Sequence, residues 1–150
     1  MTAKRYLEQV RRIRQEITHL NEQIETIRTD MSSYHPIQLD DSGASHLNYR
    51  TDRMPDKIAK VMELERDLEE RKAVLILREA EIRRMVSLIE DPREKEVLTL
   101  RYLTIHPRRP LNPIGWEQIG FRMGYSPEGA RHIHDRALRD FDEILKKTES

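Results

Sequence analysis

The chain has 150 residues, enough for one domain or a small domain with an extension. Charged residues make up 36% and aromatics 5%, a balance short of large apolar side chains that fits elongated helices with narrow apolar seams better than one broad core. Net charge is zero and cysteines are absent, which excludes a global field towards nucleic acid and excludes disulfides, thiolate chemistry and cysteine zinc sites.

No apolar run reaches membrane-spanning length, and MTAKRYLEQ lacks a signal-peptide core, so a soluble, cytoplasmic protein is expected. From Tyr6 the apolar residues fall at Val10, Ile13, Ile17, Leu20, Ile24, Ile27 and Met31, in alternating steps of three and four. That is the repeat of a coiled-coil seam, with Val10, Ile17, Ile24 and Met31 at a and Ile13, Leu20 and Ile27 at d. Residues 32–55 break the period with Ser, Asp, Gly and two prolines and read as a loop or linker.

Helix is expected to resume with Pro55 in its first turn. Val61, Leu68, Leu75, Ile82 and Ile89 take a positions there and Leu64 and Met85 take d, while Arg71 and Arg78 fill the other d sites. Apolar residues off this seam, Val74, Leu77 and Val86, suggest that the helix touches more than one partner. In an antiparallel pairing of the two helices Arg14 and Arg28 face Glu79 and Glu65 in one register, whereas Asp30 falls near Asp67. Residues 1–90 are therefore expected to form a helical hairpin or coiled coil that also mediates a homodimer or higher homo-oligomer. Pairing between chains alone is the alternative.

Residues 91–150 read as a second domain. Asp91, Pro92 and Glu94 suit the N-cap, first helical position and capping box of a helix carrying Val97, Leu98, Arg101, Tyr102 and Leu103. Pro107, Pro110 and Pro113 then forbid regular structure. Trp116, Ile119 and Met123 mark one side of a short helix ended by Gly124, which can take a positive φ. Ser126 is the next N-cap and Pro127 the first residue of a helix with Ala130, Ile133, Ala137, Leu138 and Phe141 on its apolar face. Glu128, His132, Asp135 and Arg139 lie opposite, flanked by Arg131 and Arg136.

Two helices around a glycine turn, the second with a polar and basic outward face, form a helix-turn-helix pattern. Its second helix, residues 126–141, would lead into the major groove of double-stranded DNA with its N-terminal residues. From Arg101 to Arg139 there are seven arginines against three acids, Glu117, Glu128 and Asp135. Position assigns Glu128, Arg131, His132 and Asp135 to base edges, and Arg122, Arg136, Arg139, Arg108 and Arg109 to phosphates.

The segments REKEVLTLRYL and WEQIGFRMGYSPEGARHIHDRALRDF, residues 93–141 with their connection, resemble region four of bacterial sigma factors, which reads the −35 promoter element. The whole chain is similar to the ArpU-type and RinA-type late-gene regulators of phages of Gram-positive bacteria. That resemblance implies an all-α protein, with a helical N-terminal half and a sigma-like C-terminal domain, that activates packaging or lysis genes. It also implies DNA contact by the early polar positions Glu128, Arg131 and His132. The connection 104–115 is longer than in sigma factors, and Gly129 stands where they often carry a larger polar residue. Residues 1–90 lack the aromatic cluster that melts the −10 element, so a stand-alone sigma factor is not expected.

The resemblance permits an alternative: an interaction module that binds RNA polymerase or a host sigma factor without touching DNA. No Ser/His/Asp set and no glycine-rich phosphate loop is present, so neither catalysis, a cofactor nor a small-molecule substrate is expected. His132 and His134 point to different sides of a helix and make a poor metal pair. Lys4, Arg5, Arg11, Arg12 and Arg14 read as solvated helix flanks, and Trp116 as core packed on Tyr102 or Phe141.

Overall fold

A computed structural model describes residues 1–32 and 44–150, with the backbone alone for 44–53. The described residues are helical and include no strand: α1 (Ala3–Ser32), α2 (Ala44–Ser87), α3 (Pro92–Leu98) running on into a π-helical turn (Thr99–Leu103), α4 (Trp116–Met123) and α5 (Pro127–Glu149). Helix α2 starts earlier than expected, so residues 44–55 are helix rather than loop. Residues 44–54 contain neither Gly nor Pro. Pro55, expected in the first turn of this helix, lies inside α2. Proline removes one backbone hydrogen bond and favours a kink, yet it leaves helix on both sides possible. Of the remainder of the expected 32–55 loop, Ser32 ends α1 and residues 33–43 lie outside the described residues.

The chain divides into two compact units, Glu16–Ala73 and the combination of Met1–Gln15 with Val74–Ser150. In the first, Ile24, Val61, Leu64 and Leu68 form a buried cluster with Ile17, Leu20, Ile27 and Met31 packed on it. Glu16, Arg28 and Asp30 of α1 pair with Arg71, Glu65 and Lys57 of α2. Partner numbers fall along α2 as they rise along α1, so the two segments run antiparallel. Asp30 thus meets Lys57, correcting the expected clash with Asp67: a flexible lysine ten residues nearer the start of α2 offers the opposite charge. Arg71 avoids the apolar seam by reaching Glu16 at 3.0 Å.

The second unit holds the larger core. Tyr6, Leu7 and Val10 of α1 and Ile82, Met85, Val86 and Ile89 at the end of α2 share it with Val97, Leu98, Tyr102, Leu103, Ile114, Ile119, Ala130, Ile133, Ala137, Phe141 and Leu145. The boundary expected at 90/91 is therefore not a boundary in packing, because the small C-terminal helices cover their apolar faces with the ends of α1 and α2. Arg14 pairs with Glu79 and also donates to the Leu103 carbonyl at 3.2 Å, and Arg11 donates to the Arg101 carbonyl at 3.0 Å. Arg11 and Arg14 are thus fastenings onto the π-turn rather than solvated flanks. Arg78 bonds Glu81 at 3.0 Å, with its guanidinium 5.7 Å from the Tyr6 ring centroid.

Every expected apolar seam residue is buried or partly buried within one chain, Val10, Ile13, Leu75, Ile82, Met85 and Ile89 in this unit and the rest in the other. At the start of α3 the Asp91 carboxylate accepts from the Arg93 amide at 2.9 Å, as an N-cap should. Glu94 does not close the expected capping box. Only 5% exposed, it turns inward, where Asp140 of α5 is its nearest acidic influence and its Oε2 has no hydrogen-bond partner among the described residues.

Candidate nucleic-acid interface

The connection between α4 and α5 is set by short-range chemistry. Gly124 takes φ 78° and ψ 28°, a left-handed conformation that glycine adopts without a Cβ penalty. The Tyr125 amide returns to the Gly120 carbonyl at 2.8 Å and the Gly124 amide to that of Phe121 at 3.4 Å, satisfying the last carbonyls of α4 in a Schellman motif. Ser126 then caps α5, its hydroxyl accepting from the Gly129 amide at 3.0 Å, with Pro127 in the first turn. The close turn also needs Gly120, where a Cβ would sit 2.5 Å from the Tyr125 carbonyl oxygen.

Helix α5 divides cleanly around its axis. Ala130, Ile133, Ala137, Phe141 and Leu145 are buried and Leu138 is half-buried, whereas Glu128, Arg131, His132, Asp135, Arg136 and Arg139 are exposed. Arg122 on α4 and Arg108 and Arg109 on the 104–115 connection are exposed as well. Of the seven arginines, Arg101 is different. It is half-buried, donates to the Ile114 carbonyl at 2.7 Å and lies 4.5 Å from the Trp116 ring centroid. Its charge serves the fold, leaving the other six against three exposed acids.

Trp116 is half-buried and packs against the core cluster that includes Tyr102 and Phe141. Its ring meets His134 edge-on at 4.8 Å and also carries the Arg131 guanidinium at 5.9 Å. Behind it His134, buried, exchanges a 2.7 Å hydrogen bond with the Tyr102 hydroxyl and stacks on that ring. Burial pushes the imidazole below its ordinary pKa and the phenol up to about 12. Cation–π contact to a ring backed in this way restrains Arg131 before any ligand arrives.

The 104–115 connection is ordered by a device that the sequence did not signal. The His106 Nδ1 accepts from the amides of Arg108 and Arg109, both at 3.1 Å, and the Asn112 amide returns to the Arg109 carbonyl at 2.9 Å. Buried Ile114 and the Arg101 bond to its carbonyl anchor the far end. A cleft of about 460 Å³ opens beside it, bringing His106, Arg109, Trp116, Gln118 and Arg131 together. Next to Arg122, Phe121 is 88% exposed beside Pro107. Apolar periodicity could have flagged Phe121, which lies off the Ile119–Met123 side of α4.

Among the described residues no group of three or more His, Asp or Glu is placed to hold a metal ion, and no helix is long and apolar enough to cross a membrane. The chain matches no protein-family model, no curated protein and no solved structure.

Proposed function

We propose that the chain is a sequence-specific regulator of transcription that reads promoter DNA with α5 and activates phage late packaging or lysis genes. On this reading α4 and α5 are a sigma region four-like helix-turn-helix, and α1 and α2 form a helical hairpin. The observation that carries it is the division of α5: a buried apolar side that also takes in His134, a polar side with Glu128, Arg131, His132, Asp135, Arg136 and Arg139 in solvent, and a capped N-terminus. Glu128, Arg131, His132 and Asp135 would meet base edges, with Arg108, Arg109, Arg122, Arg136 and Arg139 on phosphates. The 104–115 connection adds its arginines to the same side of the reading, which suits a chain whose total charge is zero.

Selection from a random duplex pool followed by gel shift tests this. One preferred sequence should emerge, its affinity falling steeply with salt as counterions are released. Arg131→Ala and His132→Ala should each cost about 1–3 kcal/mol of discrimination between preferred and random DNA, while Arg139→Ala should weaken both alike. Equal losses for all three on both DNAs would refute this assignment. The exposed Phe121 favours a second reading, contact with RNA polymerase or a sigma factor. Co-purification with polymerase in the absence of any DNA shift would select it.

A further inference from the structure

The apolar seam of α1 and α2 is filled within one chain, yet α2 carries a second apolar stripe that is left exposed among the described residues. Ile76 is 69% exposed and Leu77 71%. Ala73 and Ala80, one turn to either side, are exposed too. Spacings of three, one and three place the four residues on one side of a continuous helix. Single exposed aliphatics are ordinary on a protein surface, but adjacent ones framed by alanines make a patch.

The charges around the patch have a direction. Glu69 and Glu70 precede its centre by about two turns and Arg83 and Arg84 follow it by the same distance, all four exposed, with Lys72 pairing with Glu69 at 3.4 Å within the same helix. The midpoint of 69 and 84, and of 70 and 83, falls between Ile76 and Leu77. A surface that carries acid on one side of a point and base at equal distance on the other is complementary to itself after a two-fold rotation.

We propose that α2 pairs antiparallel with α2 of a second copy of this chain, crossing at Ile76 and Leu77. Ile76 and Leu77 of each copy pack at the crossing, and the short side chains of Ala73 and Ala80 let the helices approach closely. Glu69 and Glu70 of each copy face Arg83 and Arg84 of the other, a pairing that a parallel arrangement would replace with like against like. A third protein would have no reason to match this symmetry. The patch is small, so association in the micromolar range is expected. The inference goes beyond the DNA reading and does not rest on it.

Sedimentation of the full chain from about 1 to 100 µM tests the pairing. A monomer–dimer equilibrium is expected. Leu77→Glu, at a solvent-facing position that leaves the helical circular dichroism unchanged, should raise the dimer dissociation constant about a hundredfold, since the carboxylate enters the crossing twice. Arg83→Glu with Arg84→Glu should weaken association about tenfold, and adding Glu69→Arg with Glu70→Arg should restore it. A wild-type chain that stays monomeric throughout, a dimer indifferent to Leu77→Glu, or a fourfold variant no tighter than the double reversal would each overturn it. Monomeric Leu77→Glu protein should still bind a single DNA site, so loss of pairing and failure of the DNA reading give separate results.

Discussion

Glu94 shows how a residue can be read correctly by position and wrongly by role. Three places after Asp91, it has the spacing of a capping box, but α5 arrives over α3 and takes its carboxyl inward. Burial first, then the neighbouring Asp140 carboxylate, raise its pKa to about 7. Between the unfolded value near 4.5 and about 7 the folded chain holds the proton and the unfolded chain does not. Stability is therefore lost as pH rises through that window, by at most about 3 kcal/mol. His134 acts in the opposite direction: its folded pKa is lowered, so its contribution is present above about 6.5 and lost as pH falls below that value. Glu94→Gln isolates the first effect, because the amide keeps the shape and can donate to Asp140 without a charge. Thermal melts from pH 4.5 to 8 should show the variant equal to wild type at the acid end and several degrees more stable at pH 8. Parallel curves across the range would mean that Glu94 is ionised in the fold.

At the scale of elements, helix starts and stops in the C-terminal half were legible because their causes are local. Gly124, Ser126 and Pro127 act through their own backbone and nearest neighbours, and each has the role its position implied. Gly120 was not legible, since its reason is a carbonyl five residues ahead that returns over α4 only once the turn is made. A glycine within a helix ordinarily invites replacement by alanine, with a gain of about 1 kcal/mol in propensity. Here the added Cβ would meet backbone at 2.5 Å, and backbone cannot swing aside as a side chain does. Gly120→Ala should therefore lower stability by about 1–3 kcal/mol despite its propensity, read as a lower denaturant midpoint at unchanged slope. A stabilised variant would show that the turn stands further from α4. The π-turn at 99–103 was invisible for a related reason, its widened hydrogen bond from the Thr104 amide to the Thr99 carbonyl being coupled to arginines more than eighty residues away in sequence.

At the scale of the whole molecule, periodicity displayed which side of each helix is apolar but not which neighbour covers it. The seam residues of α1 and α2 were named from spacing alone, and they are the residues that are withdrawn from solvent. What spacing could not reveal is that Met1–Gln15 and Val74–Ser150 form one unit, so that Leu7, absent from the seam, is fully buried. A residue just off a two-helix seam becomes core when a third element packs beside it, and that element lies a hundred residues along the chain. The consequence can be measured on fragments. Leu7, Val10, Ile82 and Met85 are each buried, worth roughly 1.5–3 kcal/mol apiece. Their sum rivals the total stability of about 5–15 kcal/mol that domains possess. Residues 91–150 alone should therefore show no cooperative melt by circular dichroism, although they contain the entire helix-turn-helix pattern. A shortened chain joining Gln15 to Val74 through a brief Gly/Ser loop keeps all four side chains and should melt cooperatively. If the 91–150 fragment instead unfolds in one sharp transition near the temperature of the full chain, the C-terminal helices supply their own core and the ends of α1 and α2 only rest on it.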